Sequence, residues 1–430
     1  MPGSSAPPGG AIRRTLTSPG ARKSLMAMLD QSLVSGTRLV MTVLIGRYAG
    51  AEELGIYAIC FAGLLLTSVA QESLLSAPYA VLGPRYTQEA RRRFAGNTLV
   101  TGLVFGIALS AALLLATALP VVASLNTQAA LFPVLAATVP LFLLQGLLRR
   151  LSMAHLRIDQ ALIVDGTVSV VLFGAIVALI GQGTFSALTA LGATGAACLA
   201  GALCGLILNR EQIGFGARTL LPQLARNWRF GRWILGAQQV STVSNNLVIW
   251  LLPVFAGAAA SGVYAACNLV VTAANPLLLG LGNVLEPRTA RALVDDGRNA
   301  LIRVVRKVTL LTLLAVGVYV VFVLVFGEWI IAWLFDAGEF EALGHPLAVL
   351  ALALLIRSIR LGRNHALRAL GAPHWNFIAS LVELGTIAAC ALALLTGSGV
   401  LGAAYSVLCG SVTGSLVRFV AYHRTLGKLT

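Results

Sequence analysis

Charge is scarce in this 430-residue chain: only 11% of its residues are Asp, Glu, Lys or Arg. Soluble domains carry about 25%. That shortfall excludes an ordinary soluble globular protein, and a 57% apolar content excludes disorder. Acidic residues are the scarcest charged class, 16 against 31 Lys and Arg, for a net charge of +15. A nucleic-acid binder can share that balance, but no soluble basic domain is present to carry it, so no nucleic-acid partner is expected. Six cysteines (Cys60, Cys198, Cys204, Cys267, Cys390 and Cys409) all lie in apolar runs. None forms a metal-type pair with histidine, so they read as buried apolar thiols. The sequence has no nucleotide-binding loop and no nucleophile–base pair. No cofactor, no metal and no enzymatic activity is expected.

Long apolar runs are abundant instead, and the mean hydropathy is +0.85. A helix needs about 20 apolar residues to cross the hydrocarbon core. Twelve runs qualify: 24–46, 54–79, 98–119, 129–148, 161–181, 185–208, 233–254, 262–284, 308–327, 342–360, 375–396 and 399–421. The tenth is the weakest, with Arg357 and Arg360 in its last turns, where arginine can snorkel. Runs this continuous are helical, since a barrel shows alternating segments of about ten residues. The fold class is therefore an all-α polytopic membrane protein. Residues 1–23, rich in Pro, Gly and Ser, read as a disordered cytoplasmic tail.

The basic residues sort by side. With the N-terminus in the cytoplasm, 29 of the 31 Lys and Arg fall on cytoplasmic segments, leaving Arg47 outside and Arg38 within the first span. The positive-inside rule then puts both termini in the cytoplasm. One missed or extra span would invert the asymmetry downstream, and no inversion occurs.

The chain repeats itself. Residues 47–58, RYAGAEELGIYA, and 254–265, VFAGAAASGVYA, share six of twelve positions at an offset of 207. The same offset pairs Gln31 with Gln238, and nearby offsets pair Arg149 and Arg157 with Arg360 and Arg368. Each repeat holds six spans, an even number, so the halves run parallel about an axis along the membrane normal. This predicts an N-lobe over 24–211 and a C-lobe over 212–430 around a central cavity, the plan of a transporter.

The first span and its exit, AMLDQSLVSGTRLVMTVLIGRYAGAEELGIYAI, resemble polysaccharide flippases of the multidrug/oligosaccharidyl-lipid/polysaccharide (MOP) superfamily. QESLLSAPYAVLGPR, FGEWIIAWLFDAGEF and LRALGAPHWN resemble the same family, and the likeness covers nearly the whole chain. The resemblance implies two six-helix lobes and alternating access. It implies that an oligosaccharide on undecaprenyl diphosphate moves from the cytoplasmic to the periplasmic leaflet for surface polysaccharide synthesis. Polysaccharide polymerase and glycosyltransferase machinery would be partners, beside membrane lipids.

Ionisable groups inside spans cost about 2.5–3.5 kcal/mol each on insertion scales, so they face a cavity or pair with one another. Arg38 lies fourteen residues into the first span, roughly 20 Å deep. Its planar fork suits a diphosphate, or it bridges to Glu72 or Asp30. Asp30, Glu72 and Glu383 are the coupling or ion-pair candidates, and Asp165 reads as interfacial. On the seventh span Gln238, Thr242, Asn245 and Asn246 share one helical face, suited to sugars or to interhelical bonding. Asn268 and Asn275 add weakly. Arg149, Arg157, Arg360 and Arg368 could ring the cytoplasmic entrance, although topology alone accounts for them. The rival to a flippase is a proton- or sodium-coupled multidrug/cation antiporter of the same superfamily. A non-transporting scaffold fits the duplicated core and deep charges poorly.

Overall fold

The computed structural model describes residues 19–117, 130–335, 340 and 343–428, and no strand occurs among them. The first helix, α1 (Pro19–Tyr48), starts five residues before the predicted span. α2 (Gly50–Gln71) continues through a π-helical turn, Glu72–Ser76, into α3 (Ala77–Leu82). Then come α4 (Gln88–Ala116), α5 (Leu131–Ala154), α6 (Ile158–Gly181) and α7 (Ala187–Asn209). α8 (Ala217–Thr272) and α9 (Asn275–Phe335) are long and broken by non-helical glycines at 257 and 297. α10 (Gly344–Ile359), α11 (Leu361–Ala369) and α12 (His374–Gly427), broken at Gly399, complete the chain.

Nine helices among the described residues are long and apolar enough to cross a membrane. Predicted spans merge within them. The eleventh and twelfth flank Gly399, and the seventh ends just before Gly257. The eighth straddles the turn at 273–274, and the tenth is present as α10. The first 18 residues and the predicted boundary between the third and fourth spans lie outside the described residues.

Two basic stretches expected as connections, 209–232 and 285–307, are largely helical. Hydropathy marks only the part of a helix that sits in hydrocarbon. A 40-residue rod such as 217–256 is about 60 Å long, twice the hydrocarbon thickness. Along α9, Val318, Val325, Trp329 and Trp333 are all more than 60% exposed. A water-facing surface would not tolerate that apolar stripe, and a lipid-facing one requires it.

The chain forms two compact units. One takes the chain to Met41 and then Ala70–Arg232; the other takes Thr42–Val69 and Trp233–Thr430. The first unit's core gathers Leu75, Leu99, Leu147, Leu148 and Ala202. In the second, Leu301, Val305, Leu367 and Tyr422 pack together.

The second unit contains both copies of the repeated motif, and they pack on each other. A Cβ on Gly55 would land on the Ala258 carbonyl oxygen and 2.9 Å from Gly262 N. A Cβ on Gly262 would land on the Ala51 carbonyl and 3.0 Å from Gly55 N. The contact is reciprocal: Ala51 and Gly55 of one copy meet Ala258 and Gly262 of the other, the small-xxx-small spacing that lets helix backbones touch. The matched turn glycines also agree, with φ +88° at Gly50 and +82° at Gly257, where an L side chain is strained. Gln239 donates to the Leu66 carbonyl at 3.1 Å and Trp250 to that of Ile59 at 3.3 Å, fastening α8 to α2.

Candidate functional site

In the second unit one carboxylate holds three guanidiniums. Glu383, on α12 and 3% exposed, accepts from Arg360 at 2.6 Å, Arg357 at 3.2 Å and Arg418 at 3.4 Å. Helix geometry brings them together: Arg357 and Arg360 end α10 one turn apart, and the break at Gly399 lets α12 fold back so that Arg418 meets Glu383. Arg357 also donates to Ser411 at 3.0 Å and to the Asn245 carbonyl oxygen at 3.1 Å. Arg418 donates to Ser380 at 2.8 Å and to the Gly414 carbonyl at 2.9 Å, while its Nε is buried without an acceptor among the described residues. The cluster carries two positive charges in excess of its carboxylate. Desolvating such groups is costly unless an opposite charge reaches them.

The first unit reverses the ratio. Arg149, on α5, donates to Asp30 at 2.5 Å and to Asp165, which also accepts from Gln145 at 3.0 Å. Asp30 and Asp165 are 1% and 4% exposed, and Asp30 Oδ1 has no donor among the described residues. Two carboxylates thus share one guanidinium, an excess of one negative charge. Beside them Glu72, at the start of the π-helical turn, takes both Arg150 terminal nitrogens at 2.5 Å. Each sequence repeat therefore carries an arginine from its fourth span against a carboxylate on its fifth, with opposite net charge.

This arrangement sits on a scaffold seen before. An inward-facing multidrug-resistance MATE transporter of the MOP superfamily superposes with a TM-score of 0.72 at 16% identity, over 93% of this chain and 95% of that one. The lipid II flippase MurJ, inward closed, gives 0.72 at 13% identity over 95% and 89%. A MOP superfamily transporter from Pyrococcus furiosus, described by the reverse polarity of its binding pocket, gives 0.66 at 16% over 95% of each chain. The chain shares the fold of these transporters. No family model matches it, and no curated protein does.

Within this fold the predicted residues are placed as follows. Arg38 is exposed on α1, while Asp30 and Glu72 bond to Arg149 and Arg150. Asp165, read as interfacial, is buried within the protein, where Arg149 and Gln145 satisfy its carboxylate. Arg357 and Arg360 do not snorkel; both turn inward to Glu383. Arg149 and Arg360 are thereby engaged in the two networks, whereas Arg157 is half-buried and Arg368 exposed. On the polar face of α8 only Asn245 joins a network by the bonds described. Thr242 donates to the Gln238 carbonyl at 2.9 Å and Asn246 to that of Thr242 at 2.8 Å, both within their own helix. Asn268 is half-buried and Asn275 opens α9.

Sequence reasoning missed Arg150, Arg357 and Arg418 as partners, because the positive-inside count assigned them to connections and the tail. The signal was available: Arg418 falls inside the twelfth predicted span, and a carboxylate at 383 needs a cation. It also missed His155, in the turn after α5, whose Nε2 pairs with the Tyr79 hydroxyl at 2.6 Å. Burial, then Arg91 and Arg157, pull its imidazole down from 6.5 to about 4. The native state thus binds fewer protons than the unfolded chain between those values, so stability rises with pH across that window. It is complete above 6.5 and lost as the pH falls towards 4. Thermal melts of purified protein between pH 7 and pH 4.5 should show the loss, and His155→Gln should flatten it.

Proposed function

We propose that this chain is a membrane transporter that flips a polyprenyl-diphosphate-linked oligosaccharide from the cytoplasmic to the periplasmic leaflet by alternating access, for surface polysaccharide synthesis. The observation that carries the reading is the charge of the second unit's network. Three guanidiniums on one carboxylate, with Arg357 24% exposed, suit the oxygens of a diphosphate. Asn245, on the polar face of α8 and bonded to Arg357, supplies an amide for sugar hydroxyls. Arg38, exposed on α1, is a further cation for the headgroup. Asp30, sharing Arg149 with Asp165, and Glu72 are the candidates for coupling to a proton or cation gradient. Arg149, Arg157, Arg360 and Arg368 draw the anionic headgroup to the basic face.

The chain then resides in the inner membrane with both termini cytoplasmic, alongside glycosyltransferases and a polysaccharide polymerase. One observation favours the multidrug/cation antiporter: the first unit's network has a negative excess, which suits a cation. Deleting the gene separates the two. The flippase reading expects surface polysaccharide to disappear and lipid-linked repeat units to accumulate in the inner leaflet. Unchanged polysaccharide with new sensitivity to cationic drugs would overturn it.

A further inference from the structure

The stretch 217–232 of α8 belongs to the first unit and is fastened to α4 there through polar bonds. Gln223 donates to Thr98 Oγ1 at 3.0 Å and to the Phe94 carbonyl at 3.2 Å. Asn97 donates to Thr219 Oγ1 at 2.9 Å and to the Gly216 carbonyl at 3.1 Å. Between this stretch and the start of α4 lies a cavity of about 380 Å³, lined by Arg93, Arg226, Tyr86, Thr87, Thr219 and Glu89 among others. Arg226 bonds the Tyr86 hydroxyl and lies over its ring, 5.7 Å from the centroid. That bond uses one of five N–H donors. Arg93 is paired with Glu89 at 2.5 Å, but the side chains are 52% and 76% exposed. Water competes with so open a pair, and a stronger acceptor displaces it readily.

Depth and the face of α4 identify the occupant. Arg93 lies five residues before the apolar run that starts at 98, about 7–8 Å outside the hydrocarbon. The headgroup layer is about 5–8 Å deep on each side of a bilayer. Val100, Val104 and Ile107 follow on the same face of α4 and are 36%, 60% and 54% exposed. At 3.6 residues per turn they stay within about 40° of Arg93 around the helix axis. A cationic cavity at headgroup level thus stands over an unbroken apolar track.

We propose that this cavity binds the phosphate of an anionic phospholipid, with one acyl chain lying along Val100, Val104 and Ile107. The lipid clamps the 217–232 stretch to α4. Two guanidiniums against one carboxylate favour an anionic headgroup over a choline.

The test is native mass spectrometry of the purified full chain with phosphatidylglycerol, paired with hydrogen exchange of residues 217–232. Phosphatidylglycerol is expected to be retained and to slow exchange in that stretch. Arg93→Gln with Arg226→Gln should weaken retention about tenfold or more, since charge-assisted bonds are lost. Arg218→Gln with Arg229→Gln, two exposed arginines that do not line the cavity, should retain the lipid. Both replaced pairs are exposed, and gel filtration checks that each variant stays folded. Four results would each overturn the proposal: full retention by the Arg93/Arg226 variant, equal loss in the Arg218/Arg229 control, equal retention of phosphatidylcholine, or displacement of the lipid by glycerol phosphate at matched concentration.

Discussion

Replacing Glu383 with glutamine is expected to destabilise the protein by about 3–5 kcal/mol, the scale for breaking a buried ion pair from one side. Glutamine keeps the shape and removes the carboxylate that, among the described residues, pairs with Arg357, Arg360 and Arg418. Arg418 suffers most, because its side chain is 5% exposed and water cannot replace the lost partner. Adding Arg418→Gln should therefore recover part of the loss, since removing both partners is cheaper than stranding one. The six tryptophans give an intrinsic fluorescence melt for the comparison. An unchanged melting temperature in Glu383→Gln would mean that the cluster does not depend on its carboxylate.

Gly55→Ala and Gly262→Ala are each expected to cost about 1–3 kcal/mol, the range for overpacking a close-fitted contact. The new methyl has no side chain to push aside, only the backbone carbonyl of Ala258 or Ala51. The two helices must therefore separate. Once separated for one methyl they have room for the other, so the double variant should cost clearly less than the sum. Gly63→Ala, on the same helix α2 with open space at its Cβ, is the control and should not destabilise. Equal losses at Gly63 and Gly55 would show that α2 tolerates no methyl group anywhere, rather than none at the crossing. Additive losses would show that the two glycines act at separate contacts.

Much of this was legible in the residues. Apolar run length gave the all-α class, and the repeated AGAxxxGxYA motif was plain in the residues. That motif also marked where the copies meet, although a sequence match says nothing about contact. Deep carboxylates at 30, 72 and 383 stood out because an acid in hydrocarbon demands an explanation. Their partners did not stand out, because an arginine near a span end has two physical outcomes. It can reach outward to the headgroups, as the positive-inside count assumes, or turn inward to a carboxylate on another helix. Only the packing of α10 on α12 decides between them, and it turns Arg357 and Arg360 inward. The same ambiguity hid Arg150 opposite Glu72. The helical extension 217–232 was invisible for another reason: hydropathy reports solvent, and that helix leaves the hydrocarbon without ceasing to be a helix.

The proposed flippase would divide its work between the two networks. On that reading the guanidinium-rich site would hold an anionic headgroup, and the site where Asp30 and Asp165 compete for Arg149 would exchange a proton or cation. Reconstitution of the purified chain in proteoliposomes tests the pairing directly. A polyprenyl-diphosphate oligosaccharide is placed in the bilayer, and the fraction of its sugar open to a membrane-impermeant oxidant is followed in time. The account predicts protein-dependent translocation that fails in vesicles bearing Arg357→Gln. Transport of a cationic dye, with the lipid-linked oligosaccharide left in its original leaflet, would contradict it.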